Sequence, residues 1–153
     1  MPYVYKKTPT PLITEQFKEF LNDPNTFGAN AQLNEYLGFT EFFEVYSNNA
    51  LIGYVWFNND EFESVNGSDC RVEIFLYKID PLTSTEKGFV DNVLKDLDSA
   101  IKSLLPEDWF NCTKSVWKAV VKDGNDIKVR IEEKLIRYGF EDNFNYGGFT
   151  KNV

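Results

Sequence analysis

The chain has 153 residues, 42% of them hydrophobic and 16% aromatic, a size and content that fit one folded domain and exclude disorder. With 24 acidic and 16 basic residues its net charge is -8, which repels nucleic-acid phosphates and argues against direct nucleic-acid binding. There is no histidine, which excludes a Ser-His or Cys-His nucleophile pair, and Cys70 and Cys112 form no C-x-x-C pair, so no zinc or iron–sulfur ligand set exists.

The opening "MPYVYKKTPT" lacks the apolar run of a secretory signal, and no stretch approaches about 18 apolar residues. A cytoplasmic, reduced protein without membrane contact is expected. "YVYK" alternates like a short strand. In "TPLITEQFKEFLNDPN", Thr10 can cap a helix with Pro11 at its first position, and Leu12, Ile13, Phe17, Phe20 and Leu21 share one face. A weaker helical segment covers Ala31 to Leu37 and ends at Gly38.

The period then changes to two. "TEFFEVYSNNALIGYVWFNN" reads as a hairpin with "SNNA" as its turn, and "NNDEFESVNGSD" as a polar connector. "CRVEIFLYKI" is the most apolar strand and is expected at the centre of a sheet. From Ser84 to Leu105 a helical stripe runs through Val90, Val93, Leu94, Leu97, Ile101 and Leu104, stopped by Pro106. "KSVWKAVV" is another strand. "NDIKVRIEEKLIRYGF" is a helix with Asp126 as N-cap and Gly139 at its left-handed end, and "YGGFTKNV" forms a last short strand.

The order β-α-α-β-β-β-α-β-α-β has no repeat or linker. It predicts one α+β domain over residues 1–153, a mixed, mostly antiparallel sheet flanked by helices. The tryptophans Trp56, Trp109 and Trp117 are expected in the core or at its edge, and the cysteines to be inert packing residues.

Three segments carry a resemblance to the GCN5-related N-acetyltransferase superfamily. "ALIGYVWF" resembles its third strand. "VEIFLYKIDPLTSTEKGFV" resembles its fourth strand, pyrophosphate loop and following helix. "EEKLIRYGF" resembles its last helix and Gly-Phe ending. The resemblance spans nearly the whole chain and implies binding of acetyl-coenzyme A without a metal. Backbone contacts would come from Tyr77, Lys78 and Ile79 on the strand and from Lys87, Gly88 and Phe89 at the loop. The family loop reads Arg/Gln-x-x-Gly-x-Gly/Ala. Here it is Thr85-Glu86-Lys87-Gly88-Phe89-Val90, so the central glycine matches while the first and last positions depart.

Free amides at a helix start bind anions. Two features bear on whether they are free here. Thr83-x-x-Glu86 is a capping box that would satisfy those amides itself, and the Glu86 charge would repel a phosphate. Gly88 inside a helix starting at Ser84 would cost about 1 kcal/mol against alanine, which points instead to a close backbone approach or a later helix start.

Amine acetylation needs a base and an acid. The resemblance places Glu73 at the position of a family base, although strand alternation equally allows it to face solvent. The family's acid is a tyrosine four residues before the glycine of Gly-Phe. That position is Leu135 here, which leaves Tyr138, or Tyr77, as the candidate acid. Two alternative functions remain. One is transfer of an acetyl group from acetyl-coenzyme A to a small-molecule or protein amine. The other is a catalytically inactive binding or inhibitor protein with this fold and a protein partner. The small, acidic, histidine-free chain is compatible with a viral or mobile-element origin.

Overall fold

The computed structural model describes residues 2–8, 40–59, 69–78, 88–120 and 128–153. Among them, β1 (Val4–Lys7), β2 (Thr40–Ser47), β3 (Ala50–Asn59), β4 (Asp69–Lys78), β5 (Lys114–Ala119), β6 (Glu141–Asn143) and β7 (Gly148–Asn152) form one sheet. Their spatial order is β1-β2-β3-β4-β5-β7-β6. The pair β4–β5 is parallel and every other neighbouring pair is antiparallel, so the sheet is mixed and mostly antiparallel. The expected central strand is β4, fourth of the seven. The helices expected after Thr10 and at Ala31–Leu37 lie outside the described residues.

The β2–β3 hairpin closes at Asn48 and Asn49, with φ of 51° and 65°. Two successive positive φ values define the turn whose twist suits a tight hairpin, and asparagine tolerates them better than most residues. Alternation then sorts each strand's side chains. One face carries Phe43, Val55, Phe57, Val72, Ile74, Leu76 and Trp117, all nearly inaccessible and merged into the main core. On the other face Phe42, Trp56 and Phe75 stack across three adjacent strands with centroids 5.5 Å apart.

Helix α1 (Phe89–Asp96) packs Phe89, Val93 and Leu94 into the main core, and α2 (Lys128–Arg137) adds Ile131 and Leu135. The first of these helices begins at Phe89, which corrects the expected start at Ser84. After Asp96 the chain widens into a π turn, Leu97–Ile101, where the Lys102 N–H reaches the Leu97 carbonyl. The indole of Trp117 donates to Asp98 at 3.0 Å, and Lys151 pairs with the same carboxylate at 3.2 Å. The wide turn shifts the next residues by one position around the helix. Leu104, expected in the apolar stripe, is therefore 44% exposed, and Leu105 fills the core instead.

Helix α2 ends as its sequence predicts. Gly139 has φ 94°, Phe140 N–H bonds the Leu135 carbonyl at 2.9 Å, and Gly139 N–H bonds that of Ile136 at 3.1 Å. These two bonds satisfy carbonyls that the helix end would otherwise leave open. The expected N-cap, Asp126, lies outside the described residues. Strand β6 is an addition to the expected order. Its sequence, "EDN", has no apolar alternation, and it forms because β7 offers it an edge.

The cysteines depart from expectation. Cys70, at the start of β4, is bonded to Cys112, two residues before β5, with the Cα atoms 5.6 Å apart. Their sequence separation is 42, so local spacing gave no sign of the pairing. They meet because the parallel pairing lays Cys70 opposite Ser115.

Candidate active site

The parallel β4–β5 ladder runs from Asp69↔Lys114 to Glu73↔Lys118. Beyond Glu73, β4 continues to Lys78 and stays paired with β3, up to Gly53↔Lys78. Strand β5 ends at Ala119. The two strands thus form a fork, closed at Cys70–Cys112 and open beyond Glu73. Along the open part, among the described residues, one edge of β4 has no ladder partner. Tyr77 and Lys78 lie on that edge. Ile79 and Lys87 lie outside the described residues.

Glu73 sits at the last rung, where the fork begins. It is half-buried. Its cross-strand neighbours are Asn58 on β3 and Lys118 on β5, both buried. The aromatic stack of Phe42, Trp56 and Phe75 adjoins this polar row on the same face.

The chain returns from β4 to α1 at Gly88, which stands at the N-cap with φ 81° and ψ 28°. Its side chain cannot cap, so the Phe89, Val90 and Asp91 amides receive nothing from that position, while Asn92 N–H bonds the Gly88 carbonyl at 2.8 Å. A Cβ on Gly88 would make ordinary contacts of 3.7 to 3.9 Å with Asp91 and Asn92. Glycine is therefore required by the left-handed backbone and not by crowding. Thr83 and Glu86, the expected capping box, lie outside the described residues. Phe89 packs 6.1 Å from the ring of Tyr3, which precedes β1, and this puts the start of α1 at the open end of the fork.

Three groups from the end of α2 converge on Asp91 in the first turn of α1. Lys134 Nζ lies 2.9 Å and Arg137 Nη1 3.5 Å from its carboxylate, and Tyr138 adds to the groups that favour its charged form. Burial disfavours the Asp91 charge, but Lys134, Tyr138 and Arg137 together outweigh it and hold the carboxyl below its ordinary range. Sequence patterns alone did not disclose this cluster. Its signal was an acidic residue in the first turn of one helix and Lys and Arg in the last turn of another. The Tyr138 ring is half-buried against the main core, with Lys95 Nζ 5.9 Å from its centroid. Leu135, at the family's acid position, is fully buried.

A separate cleft of about 560 Å³ lies at the other end of β5, among Asp98, Lys102, Glu107 and Phe110. Among the described residues no three acidic or cysteine side chains cluster as metal ligands, and no helix is long and apolar enough to cross a membrane.

No family model matches the sequence, and no curated protein matches it. Solved structures do. The aminoglycoside acetyltransferase AAC(6')-Ib in complex with coenzyme A and kanamycin is 16% identical. The match covers 98% of this chain and 92% of that one at a TM-score of 0.54. A GNAT family acetyltransferase from Elizabethkingia anophelis with acetyl-CoA bound is 14% identical, covering 99% and 98% at a TM-score of 0.54. The chain has the fold of the GCN5-related N-acetyltransferases (GNAT). Nearly the whole length of both chains takes part, so the likeness is one of complete architecture. In this GNAT fold the fork after Glu73 and the glycine-opened helix stand at one end of the sheet.

Proposed function

We propose that the chain is a divergent GNAT acetyltransferase that passes an acetyl group from acetyl-coenzyme A to an amine. The observation that carries this reading is that, among the described residues, β4 and β5 part beyond Glu73 at the same end as the start of α1, where Gly88 supplies no side-chain cap. The residues present fit the cofactor. The edge of β4 at Tyr77 and Lys78, without a ladder partner among the described residues, would offer backbone groups for an amide chain, and Gly88 and Phe89 would offer amides for a diphosphate. Lys87 and Ile79 are proposed to extend these two sets. Lys134 and Arg137 bring positive charge to the same helix start, offsetting the Asp91 carboxylate.

When bound, acetyl-coenzyme A supplies an activated acetyl thioester. Glu73, at the mouth of the fork, is the proposed base that takes a proton from the incoming ammonium so that its nitrogen can attack. Tyr138 is the proposed donor of a proton to the departing sulfur, since Leu135 has none to give. AAC(6')-Ib, a structural neighbour, is an aminoglycoside acetyltransferase. A small-molecule amine is accordingly the proposed acceptor class, and a protein amine the alternative.

A second reading keeps the fold without catalysis. It is favoured by Leu135 at the acid position and by Asp91, whose carboxylate stands beside Gly88. Thermal unfolding with acetyl-coenzyme A separates the two. At 100-fold over the dissociation constant the ligand adds about 2.7 kcal/mol of stability. The acetyltransferase reading expects a rise in Tm that Gly88→Glu abolishes. No rise at millimolar ligand leaves the binding-protein reading.

A further inference from the structure

The cleft beside the start of β5 has a volume of about 560 Å³, within the roughly 300–1,000 Å³ range of small-molecule sites. One wall is the widened helical segment after α1, carrying Asp98, Lys102 and Ser103. The other is the 3₁₀ turn Glu107–Phe110 with Asn111. Contacts on both sides fix this second wall. The Phe110 ring meets the buried Trp117 edge-on at 5.3 Å, and the Phe110 carbonyl accepts from the Ser115 hydroxyl at 3.2 Å. Asn111 N–H closes the turn on the Asp108 carbonyl at 3.3 Å, and the next residue, Cys112, is bonded to Cys70 on β4.

The charges in this cleft differ in how far the protein already meets them. Asp98 accepts from the Trp117 indole through one carboxylate oxygen and pairs with Lys151 through the other. Lys102 holds its ammonium 5.5 Å from the centroid of the Phe110 ring. A ring face attracts a cation without neutralising it. Among the described residues, the side chains of Lys102, Glu107 and Asn111 have no hydrogen bond or ion pair, and Lys102 and Glu107 do not pair with each other. The cleft therefore presents one unmatched charge of each sign and one unmatched amide, beside the apolar surface of Phe110 and Leu105.

We propose that this cleft binds a small zwitterion with an apolar body, a free α-amino acid in its chemistry. The ligand carboxylate pairs with Lys102 and Asn111, its ammonium pairs with Glu107, and its side chain lies against Phe110 and Leu105. A ligand of a single charge leaves one wall unmatched, because Glu107 repels an anion and Lys102 repels a cation. The cleft adjoins the closed end of the fork, so its ligand is not the acetyl acceptor. The inference does not rest on the acetyltransferase reading.

The test follows the tryptophan indole N–H signals of the full chain by proton–nitrogen NMR during titration with L-phenylalanine. The Trp117 indole donates to Asp98 in the cleft wall, so its signal should move saturably while that of Trp56, on the other face of the sheet, stays in place. Phenylacetate and phenethylamine each keep the ring and one of the two charges. Both should bind about tenfold more weakly or worse, the factor that one lost hydrogen bond to a charged group carries. Lys102→Met and Glu107→Gln should each weaken L-phenylalanine binding by a similar factor. Both residues are exposed, so the variants keep the fold. A Trp117 signal that does not move at millimolar L-phenylalanine overturns the proposal. Equal affinity for the three probes, or unchanged affinity in both variants, overturns it as well.

Discussion

Asp91 and Lys134 meet at 2.9 Å and tie the first turn of α1 to the last turn of α2. The carboxylate is 17% exposed, so the pair is less screened than an open surface bridge. Both helices contribute to the same core, and this contact sets how their ends lie against each other at the open end of the fork.

Stability should therefore depend on the Asp91 charge. Burial opposes that charge, yet Lys134, Tyr138 and Arg137 depress the folded-state carboxyl below its ordinary value. A depressed folded value means the contribution is present above the unfolded value, near pH 4, and is lost as pH falls through the folded one. Asp91→Asn should cost about 1–2 kcal/mol at neutral pH and lose part of the acid sensitivity below about pH 4. Urea unfolding at three pH values checks this. An asparagine variant with an unchanged slope below pH 4 sinks the account.

The disulfide offers a larger effect. It closes a sequence separation of 42, for which loop-closure entropy predicts about 4 kcal/mol. Because it joins the strands at the closed end of the fork, its loss should loosen the β4–β5 pairing first at Asp69↔Lys114. Cys70→Ser, or the native protein in reductant, should unfold roughly 10 °C lower, using about 2–4 °C per kcal/mol at this length. Amide exchange should speed up at the start of β5 before it does in β2 and β3. Equal Tm values with and without reductant would show that the bond does not form in solution.

Much of the sheet was legible because alternation is a local signal. "TEFFEVYSNNALIGYVWF" carries its own hairpin turn, and the apolar run of "VEIFLYK" marks a central strand. The end of α2 was legible because Gly139 is the residue a left-handed cap requires. The features that sequence did not disclose depend on distant partners. Cys70 and Cys112 are brought together by a parallel pairing across an intervening helix. Strand β6 depends on an edge rather than on its own pattern, and the π turn at Leu97 is coupled to groups on two later strands. The start of α1 turned on one local conflict. The Thr83-x-x-Glu86 pattern favoured an early start, and the positive φ of Gly88 places the N-cap at Gly88 instead.

Tyr138 separates two roles that a single substitution can tell apart. Its hydroxyl helps to hold the Asp91 carboxyl charged, and its ring packs on the core beneath Lys95. Tyr138→Phe keeps the ring and removes the donor. If the hydroxyl only braces Asp91, the variant should lose about 1 kcal/mol of stability, and turnover should change little. If it also protonates the departing sulfur, kcat should fall by about 10²–10⁴-fold with coenzyme A affinity nearly unchanged. Asp91→Asn provides the control, because it removes the charge of the same ion-paired cluster while leaving the phenol in place. A fall in kcat in Tyr138→Phe that Asp91→Asn does not reproduce assigns the acid to Tyr138. Equal, small losses in both variants assign it a bracing role alone, and the proton must then come from another donor at the fork.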